Sequence, residues 1–168
     1  RSCTWDTRAD GFGRGELCAT GLMRLATEKH SSLTSVIGAA VRQDGTSASL
    51  TAPNGQAQRA LLLAAQTDAG VPRPSIIEAH GTGTSLGDPI EAGSITVAKL
   101  GVEVETLQIC GTKANLGHTE PSAGMVGLLK IAISLKYELT PPNAQLRLPN
   151  PFVQEQLTVR HSKTNLLT

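Results

Sequence analysis

Two short glycine-rich loops each place a histidine where it could move a proton or bind an oxyanion. Residues 80–84 read His-Gly-Thr-Gly-Thr, and residues 113–118 read Lys-Ala-Asn-Leu-Gly-His. Histidine titrates near neutral pH, and neutral imidazole N–H groups aimed at one carbonyl oxygen stabilise an enolate. Lys113 precedes His118 by five residues, and its charge is expected to hold that imidazole neutral. The loops therefore indicate acid–base or oxyanion chemistry.

Other assignments for the polar residues near these loops stay open from the residues alone. Thr82 and Thr84 could hydrogen-bond a polar ligand arm, although threonine in turns often bonds only the local backbone. A zinc hydrolase built on His80, Asp88 and His118 is disfavoured because the spacing fits no common zinc arrangement, and we predict no metal site. The glycines at 11, 13 and 15 lack the strand-before, helix-after setting of a dinucleotide loop.

The segments that carry the loops alternate between strand-like and helix-like patterns. Apolar runs predict strands at 19–25, 36–41, 76–79 and 107–110. Helical patterns cover 56–69, a stretch that starts at Asp88 and stops at Gly101, and 122–137. This alternation predicts an α/β fold whose mostly parallel sheet carries both histidine loops on one edge.

Several details of these helices follow from single residues. Gly70 is expected to end the first helix, and Asp88 with Glu91 to form a capping box at the start of the second. Gly124 and Gly127 in the third helix weaken it, so a closely packed neighbour is expected there. Residues after Pro151 show weak patterning and suggest no further element.

Composition excludes several classes of protein. The net charge is +1, with no basic run interleaved with aromatics, which disfavours nucleic acid as a partner. No apolar run approaches the roughly 18 residues of a membrane span. The odd, widely spaced cysteines (Cys3, Cys18 and Cys110) favour reduced, buried thiols and a cytoplasmic location, with an organelle such as a plastid left open.

Longer motifs extend from both histidine loops. Residues 78–92 contain E-A-H-G-T-G-T, followed after Ser85 by L-G-D-P-I-E-A, and 113–118 contain K-A-N-L-G-H. Upstream lie D-G-F-G-R-G-E at 10–16 and Q-D-G with T-A-P-N-G within 43–55. These motifs resemble the C-terminal half of the β-ketoacyl synthase (ketosynthase) domain of type I modular polyketide synthases, from about Asp6 to Phe152.

The resemblance implies an incomplete thiolase-like fold with αβαβα layers and a role in decarboxylative Claisen condensation of acyl and malonyl-type thioesters. It implies catalytic roles for His80 and His118, with Lys113 as an accessory. It further implies that Thr82, Thr84 and Asn115 contact the substrate. No cofactor would bind directly, because phosphopantetheine would arrive on a partner acyl carrier protein. A second ketosynthase copy would complete a homodimer.

The chain departs from the family pattern in several places. It has no T-A-C-S-S motif for the nucleophilic cysteine and no G-F-G-G-T-N segment. We therefore expect a fragment that is inactive alone, divided into 1–50 (end of the N-terminal half), 51–152 (the region with both histidine motifs) and 153–168 (a truncated tail). Leu17, where the family has glycine, is expected to crowd the core.

Two rival functions remain. A fatty-acid elongation enzyme would share the fold, although the uninterrupted G-D-P-I-E-A stretch favours the polyketide class. A non-catalytic domain that binds a carrier protein or dimerises would suit a naturally short chain without the nucleophile.

Overall fold

The computed structural model describes residues 1–26, 32–47, 52–71, 74–98 and 107–158, and the backbone of 164–166. Helices and strands alternate from residue 55 onward, and a short 3-10 helix precedes α4. The elements, in chain order, are α1 (Gly55–Ala69), β1 (Ile76–Glu78), α2 (Gly87–Ala98), β2 (Leu107–Cys110), α3 (Lys113–Leu116), the 3-10 helix (Glu120–Ser122), α4 (Ala123–Tyr137), α5 (Pro151–Thr158) and β3 (Thr164–Leu166).

The three strands form a parallel sheet in the order β1-β2-β3. Glu78 at the end of β1 is in register with Cys110 at the end of β2. The loops that follow these two strands therefore leave the same edge of the sheet side by side. This arrangement confirms the predicted parallel sheet and the placement of both loops on one edge.

Helix α1 lies within one residue of the predicted range 56–69 and ends at the predicted Gly70. The side chain of Asn54 accepts hydrogen bonds from the backbone N–H groups of Gln56 and Ala57, which the first helical turn leaves unpaired. Gly70 ends the helix with a φ of 63°, a left-handed conformation that glycine adopts without steric cost. Its N–H donates to the Thr67 carbonyl.

The hydrophobic core lies between β1, β2 and the helices α2 and α5. Helix α2 packs against both α1 and α5, and Trp5 reaches the same core from the N-terminal segment. Because α2 also follows the first histidine loop, this packing fixes one end of that loop. The buried core residues are Trp5, Ala79, Ala92, Ile95, Leu107, Ile109, Leu146, Val153 and Leu157.

The N-terminal segment, residues 1–15, is tied to distant parts of the chain. Trp5 has a φ of 65°, which is left-handed and strained for a bulky residue. Its N–H donates to Asp88 Oδ2 at 2.8 Å, and its carbonyl accepts from the Asn150 N–H at 2.7 Å. These two bonds hold the strained backbone in place between α2 and the start of α5.

The predicted strands at 19–25 and 36–41 are wrong. Both segments run without regular secondary structure, and Leu22 and Val41 are more than nine-tenths exposed. A strand is stable only when a neighbouring strand satisfies its backbone groups. None of the described residues pairs with either segment in a ladder, so their β-type pattern alone does not make a strand.

The predicted capping box of α2 is also wrong. The helix begins at Gly87, and the carboxylates of Asp88 and Glu91 turn away from the helix N-terminus to accept backbone N–H groups elsewhere. The predicted stop at Gly101 lies outside the described residues.

Sequence patterning missed α3, α5 and β3. Helix α5 has a cap of its own, because Asn150 Oδ1 accepts the Phe152 N–H at 2.9 Å.

The side chain of Leu17 is two-fifths exposed and does not crowd the core, contrary to expectation.

The predictions that the three thiols are buried and that both glycines of α4 have a closely packed neighbour are confirmed only in part. Cys110 is buried, but Cys18 is exposed and Cys3 lies between these extremes. A Cβ at Gly127 would lie 3.2 Å from Glu78 Cγ, whereas a Cβ at Gly124 would meet nothing within 4 Å. Of these two glycines, close packing therefore applies to Gly127 alone.

No helix in the described ranges is long and apolar enough to cross a membrane.

Candidate active site

His80 and His118 meet at the edge of the sheet. Their ring centroids lie 5.4 Å apart, and the ring planes are nearly perpendicular at 86°. His80 follows β1 after one residue, and His118 lies eight residues beyond the end of β2. The parallel pairing of these strands therefore brings together two residues that are distant in sequence.

The backbone of the His80 loop is held by two carboxylates from α2. Glu91 Oε1 accepts the His80 N–H at 2.6 Å, and Oε2 accepts the Gly81 N–H at 2.8 Å. Asp88 Oδ1 accepts the Gly83 N–H at 3.0 Å. Burial raises the pKa of both carboxyl groups, against the effect of these hydrogen bonds. These hydrogen bonds hold the backbone of residues 80–83 against α2.

The N-terminal segment closes over the same loop. Thr4 Oγ1 donates to the Gly81 carbonyl at 2.6 Å, and the Gly11 N–H donates to the Gly83 carbonyl at 2.9 Å. Gly81 and Gly83 have φ values of 48° and 77°, and a Cβ at either position would collide with residue 3 or 4. Only glycine combines this backbone conformation with so close an approach.

Lys113 determines which nitrogen of His80 carries a hydrogen. Its ammonium donates to the His80 carbonyl oxygen and lies 3.3 Å from His80 Nδ1. Since an ammonium group can only donate, Nδ1 is the acceptor and Nε2 carries the hydrogen. Burial, followed by the charges of Lys113 and His118, lowers the pKa of His80 to about 4. The ring is therefore a neutral Nε2–H donor near pH 7.

His118 has the same tautomer for a different reason. The backbone N–H of Glu120 donates to His118 Nδ1 at 3.0 Å, which leaves the hydrogen on Nε2. Burial and the Lys113 charge lower the pKa of this imidazole as well, while Glu120 opposes the shift. The predicted effect of Lys113 on His118 is thus present, but the lysine makes its direct contacts with His80.

The segment 12–15 positions His118. The His118 N–H donates to the Gly13 carbonyl at 2.7 Å, and the Gly15 N–H donates back to the His118 carbonyl at 3.0 Å. The Phe12 ring meets the imidazole edge-on, with centroids 4.9 Å apart. Sequence analysis did not assign Phe12 to the site, because a single aromatic residue in a loop carries no distinguishing signal.

Thr82 and Thr84 lie half-buried beside His80 and bond each other. Their hydroxyl oxygens are 3.2 Å apart, and the Gly87 N–H donates to Thr84 Oγ1 at 3.1 Å. One hydroxyl hydrogen is used in the Thr–Thr bond, so the other remains available for a ligand. Asn115 is exposed on α3, and its Nδ2 donates to the Pro142 carbonyl at 3.2 Å.

A buried charged pair lies beneath the loops and was missed by sequence analysis. Lys130 Nζ lies 2.8 Å from Glu78 Oε2, and the two side chains are about one-tenth exposed (11% and 8%). Glu78 Oε1 accepts both the N–H and the hydroxyl of Thr112. The only sequence signal was a lysine within the otherwise apolar middle of α4. Among the described residues, no three His, Cys, Asp or Glu side chains gather as a metal site.

Comparison with known proteins identifies the family. The sequence family described as "Beta-ketoacyl synthase, C-terminal domain" matches residues 33–147, which is more than half of the chain. The chain belongs to this family. The predicted resemblance to ketosynthases is thereby confirmed.

Curated relatives of this β-ketoacyl synthase C-terminal domain are polyketide synthases. The chain is 40% identical over 158 residues to the highly reducing polyketide synthase cm3B of Cordyceps militaris, covering 90% of this chain and 6% of that protein. It is 42% identical over 157 residues to a phenolphthiocerol/phthiocerol polyketide synthase of Mycobacterium tuberculosis, covering 89% and 8%. The chain therefore spans less than a tenth of the length of these relatives.

Solved ketosynthase domains have the same fold as this β-ketoacyl synthase C-terminal domain. The oxazolomycin ketosynthase domain OzmH KS7 of Streptomyces albus JA3453 superposes with a TM-score of 0.83 at 25% identity, covering 99% of this chain and 30% of that one. A ketosynthase from module 6 of the bacillaene synthase of Bacillus subtilis 168 gives 0.70 at 29% identity, covering 79% and 24%. These matches confirm the predicted thiolase-like α/β fold.

Proposed function

We propose that this chain supplies the paired histidines of a polyketide ketosynthase that performs decarboxylative Claisen condensation. The supporting observation is the pair itself: two neutral imidazoles 5.4 Å apart, each with its hydrogen on Nε2. Two such donors aimed at one thioester oxygen stabilise the negative charge that develops when a malonyl group loses CO₂.

The reaction has two chemical stages. The C–C bond to the malonyl carboxylate breaks, CO₂ leaves, and the electron pair forms an enolate on the remaining acetyl thioester. The enolate carbon then attacks the carbonyl of an acyl-cysteine thioester, and a new C–C bond forms. The bond between the acyl carbon and the cysteine sulfur breaks, and the released thiolate takes up one proton from water. His80 and His118 stabilise the enolate oxygen and then the tetrahedral oxyanion.

The remaining predicted site residues take supporting roles in this proposal. Lys113 holds the His80 backbone and keeps both imidazoles uncharged. Thr82 and Thr84 offer one free hydroxyl hydrogen to the pantetheine arm of the substrate, and Asn115 offers an exposed amide. The phosphopantetheine is part of the substrate, carried by an acyl carrier protein, so the chain needs no bound cofactor of its own.

The nucleophilic cysteine of this proposal lies outside the 168 residues. Cys110 is unsuited to the role because burial, together with Glu78, raises its pKa to about 12, and a thiol is nucleophilic only as thiolate. We further propose the division at residues 50 and 152, pairing with a second ketosynthase copy, and a cytoplasmic location.

The test uses the ketosynthase that contains these residues together with its nucleophile. His80→Ala and His118→Ala should each slow CO₂ release from malonyl-pantetheine by about 100-fold or more, the loss typical of one oxyanion donor. Cys18→Ser, which alters an exposed thiol, is the matched control and should leave the rate unchanged. Full decarboxylation by both histidine variants would refute the proposal.

The exposed Leu22, Leu25 and Val41 side chains favour the alternative of a non-catalytic carrier-binding or dimerisation domain. Under both this alternative and the main proposal the 168-residue chain is inactive alone, and a second measurement tests that shared expectation. The 168-residue chain is mixed with a radiolabelled acyl-pantetheine thioester and examined for covalent label. We expect none, because the nucleophile is absent. A labelled and elongated product would show that the chain condenses alone.

A further inference from the structure

Glu78 is the last residue of β1, two positions before His80, and its carboxylate faces away from solvent. One oxygen, Oε1, accepts two bonds from Thr112, the residue immediately before Lys113. The other, Oε2, pairs with Lys130 on α4 at 2.8 Å. The carboxylate thus contacts the residue that precedes Lys113 and the helix that follows His118.

The three elements joined by Glu78 are those that position the proposed site. Strand β1 leads directly into His80, Thr112 leads into Lys113, and α4 follows His118 through the short 3-10 helix. Movement of any one element relative to the others would change the 5.4 Å separation of the two rings. Glu78 therefore connects the elements on which the mutual position of the loops depends, in addition to the contacts that each loop makes separately.

The buried carboxylate of Glu78 and the buried ammonium group of Lys130 compensate each other's charge. Apart from their mutual contact, Glu78 Oε2 and Lys130 Nζ have no hydrogen-bond partner among the described residues. Removing one partner of such a pair leaves an uncompensated buried charge, which the surroundings must accommodate by moving or by admitting water. The position is also tightly packed, because a Cβ at Gly127 would approach Glu78 Cγ to 3.2 Å.

We propose that Glu78 and Lys130 form a positioning pair that sets the geometry of the two imidazoles for decarboxylation. This inference rests on the proposed ketosynthase function and assigns neither residue a contact with substrate. The pair acts through β1, Thr112 and α4, so its loss changes the turnover of bound substrate rather than substrate binding.

The experiment measures CO₂ release from malonyl-pantetheine by the ketosynthase that contains these residues. Glu78→Gln and Lys130→Met keep the side-chain size while removing one charge each. Each should lower kcat by about 100-fold, the loss caused by misplacing catalytic groups by about 1 Å. KM should stay within about threefold, because substrate contacts are unchanged.

The double variant Glu78→Gln/Lys130→Met tests whether the two residues act as one unit. A shared role predicts a loss of about 100-fold again, whereas independent roles predict losses that multiply to about 10,000-fold. Transfer of an acyl group onto the nucleophilic cysteine, followed by mass spectrometry, serves as the folding control. It should proceed in all three variants.

Two glycine variants keep the test decisive if the charge variants do not fold. Gly127→Ala presses a methyl group toward Glu78 and should lower kcat about tenfold with KM unchanged. Gly124→Ala, on the same helix with nothing within 4 Å of its Cβ, should have wild-type kcat.

The outcomes separate this inference from the function on which it rests. Near-wild-type kcat in the single charge variants, while His118→Ala is inactive, would overturn the positioning pair alone. If the charge variants are unfolded and Gly127→Ala behaves like Gly124→Ala, the positioning pair is again overturned. Full decarboxylation by His80→Ala and His118→Ala would instead refute the proposed function.

Discussion

His80 and His118 can donate N–H hydrogen bonds to a shared oxyanion only with Nε2 protonated, and a second proton on either ring would take its Nδ1 acceptor away. Different groups prevent this at each ring: Lys113 beside His80, and the Glu120 backbone N–H beside His118. Burial adds to both effects. The folded site therefore keeps the pair neutral to a lower pH than that at which free histidine becomes charged.

Removal of the Lys113 charge should make the site sensitive to mild acid. In the folded protein burial and then the Lys113 charge lower the pKa of His80 from the ordinary 6.5 to about 4, so its ring becomes protonated only as the pH falls toward 4. In Lys113→Met the charge repulsion is lost, and the pKa of both imidazoles rises. The rate of malonyl decarboxylation should then begin to fall at a higher pH than in wild type as the solution is acidified. A fall in rate that begins at the wild-type pH would contradict this role of Lys113.

The three thiols should react in an order set by exposure and pKa. Cys18 is exposed, whereas Cys110 is fully buried, donates to the Ile77 carbonyl at 3.3 Å and has a pKa of about 12. A thiol-specific reagent at neutral pH should label Cys18 first and Cys110 only after unfolding. Peptide mass spectrometry checks the order, and early labelling of Cys110 would contradict it.

At the scale of single elements, sequence reasoning worked where the cause is local. The apolar periodicity of α1 and the glycine that follows it, Gly70, are local signals, so bounds of 56–69 were predictable, whereas the Asn54 cap was not assigned from sequence. The strands at 19–25 and 36–41 failed because strand formation depends on a partner that a local pattern does not contain. The capping box failed because Asp88 and Glu91 bond residues that are near in space but outside the helix.

Asn54 should stabilise α1 by two separate functions. Its Oδ1 caps the helix, and its Nδ2 donates to the carbonyls of Asp44 and Thr46. Asn54→Ala loses both functions and should reduce the free energy of unfolding by about 2 kcal/mol. Asn54→Asp keeps the cap and loses the donors, so its loss should be about half as large. Urea denaturation checks the order, and equal losses would contradict it.

At the scale of the whole molecule, Asp6 connects the N-terminal segment to residues 147 and 148, shortly before α5. Its side chain is fully buried and accepts hydrogen bonds from Arg8 and from the N–H groups of Arg147 and Leu148. The Arg8 guanidinium holds the pKa of Asp6 well below the ordinary 3.8, and the two backbone bonds lower it further. The carboxylate therefore anchors the segment that covers the His80 loop.

Asp6→Asn should destabilise the protein and change its response to acid. A depressed folded pKa gives stability that is present above pH 3.8 and lost as the pH falls toward the folded value. The variant should lose about 2 kcal/mol at neutral pH, from weakened bonds to a charged acceptor. The slope of unfolding free energy against pH below about 4 should also be smaller than in wild type. Parallel pH curves for both proteins would contradict this.

The site as a whole was only partly predictable, because some of its contacts are local in sequence and others depend on the packing of distant elements. Two histidine loops after two strands of an alternating pattern were enough to place both imidazoles on one sheet edge. The buried pair of Glu78 and Lys130, the aromatic contact of Phe12 and the carboxylate support of Glu91 depend on how separate elements pack. No spacing along the chain indicates such contacts.

The strained backbone of Trp5, bonded to Asp88 on one side and to Asn150 on the other, has a consequence for synthesis on the ribosome. The His80 loop leaves the exit tunnel early, but the partner that completes its support comes about 70 residues later. Loop closure over such a distance must wait for the later segment to emerge. A nascent chain that stalls before residue 150 therefore presents both histidines without the bond that holds the Trp5 backbone on its second side.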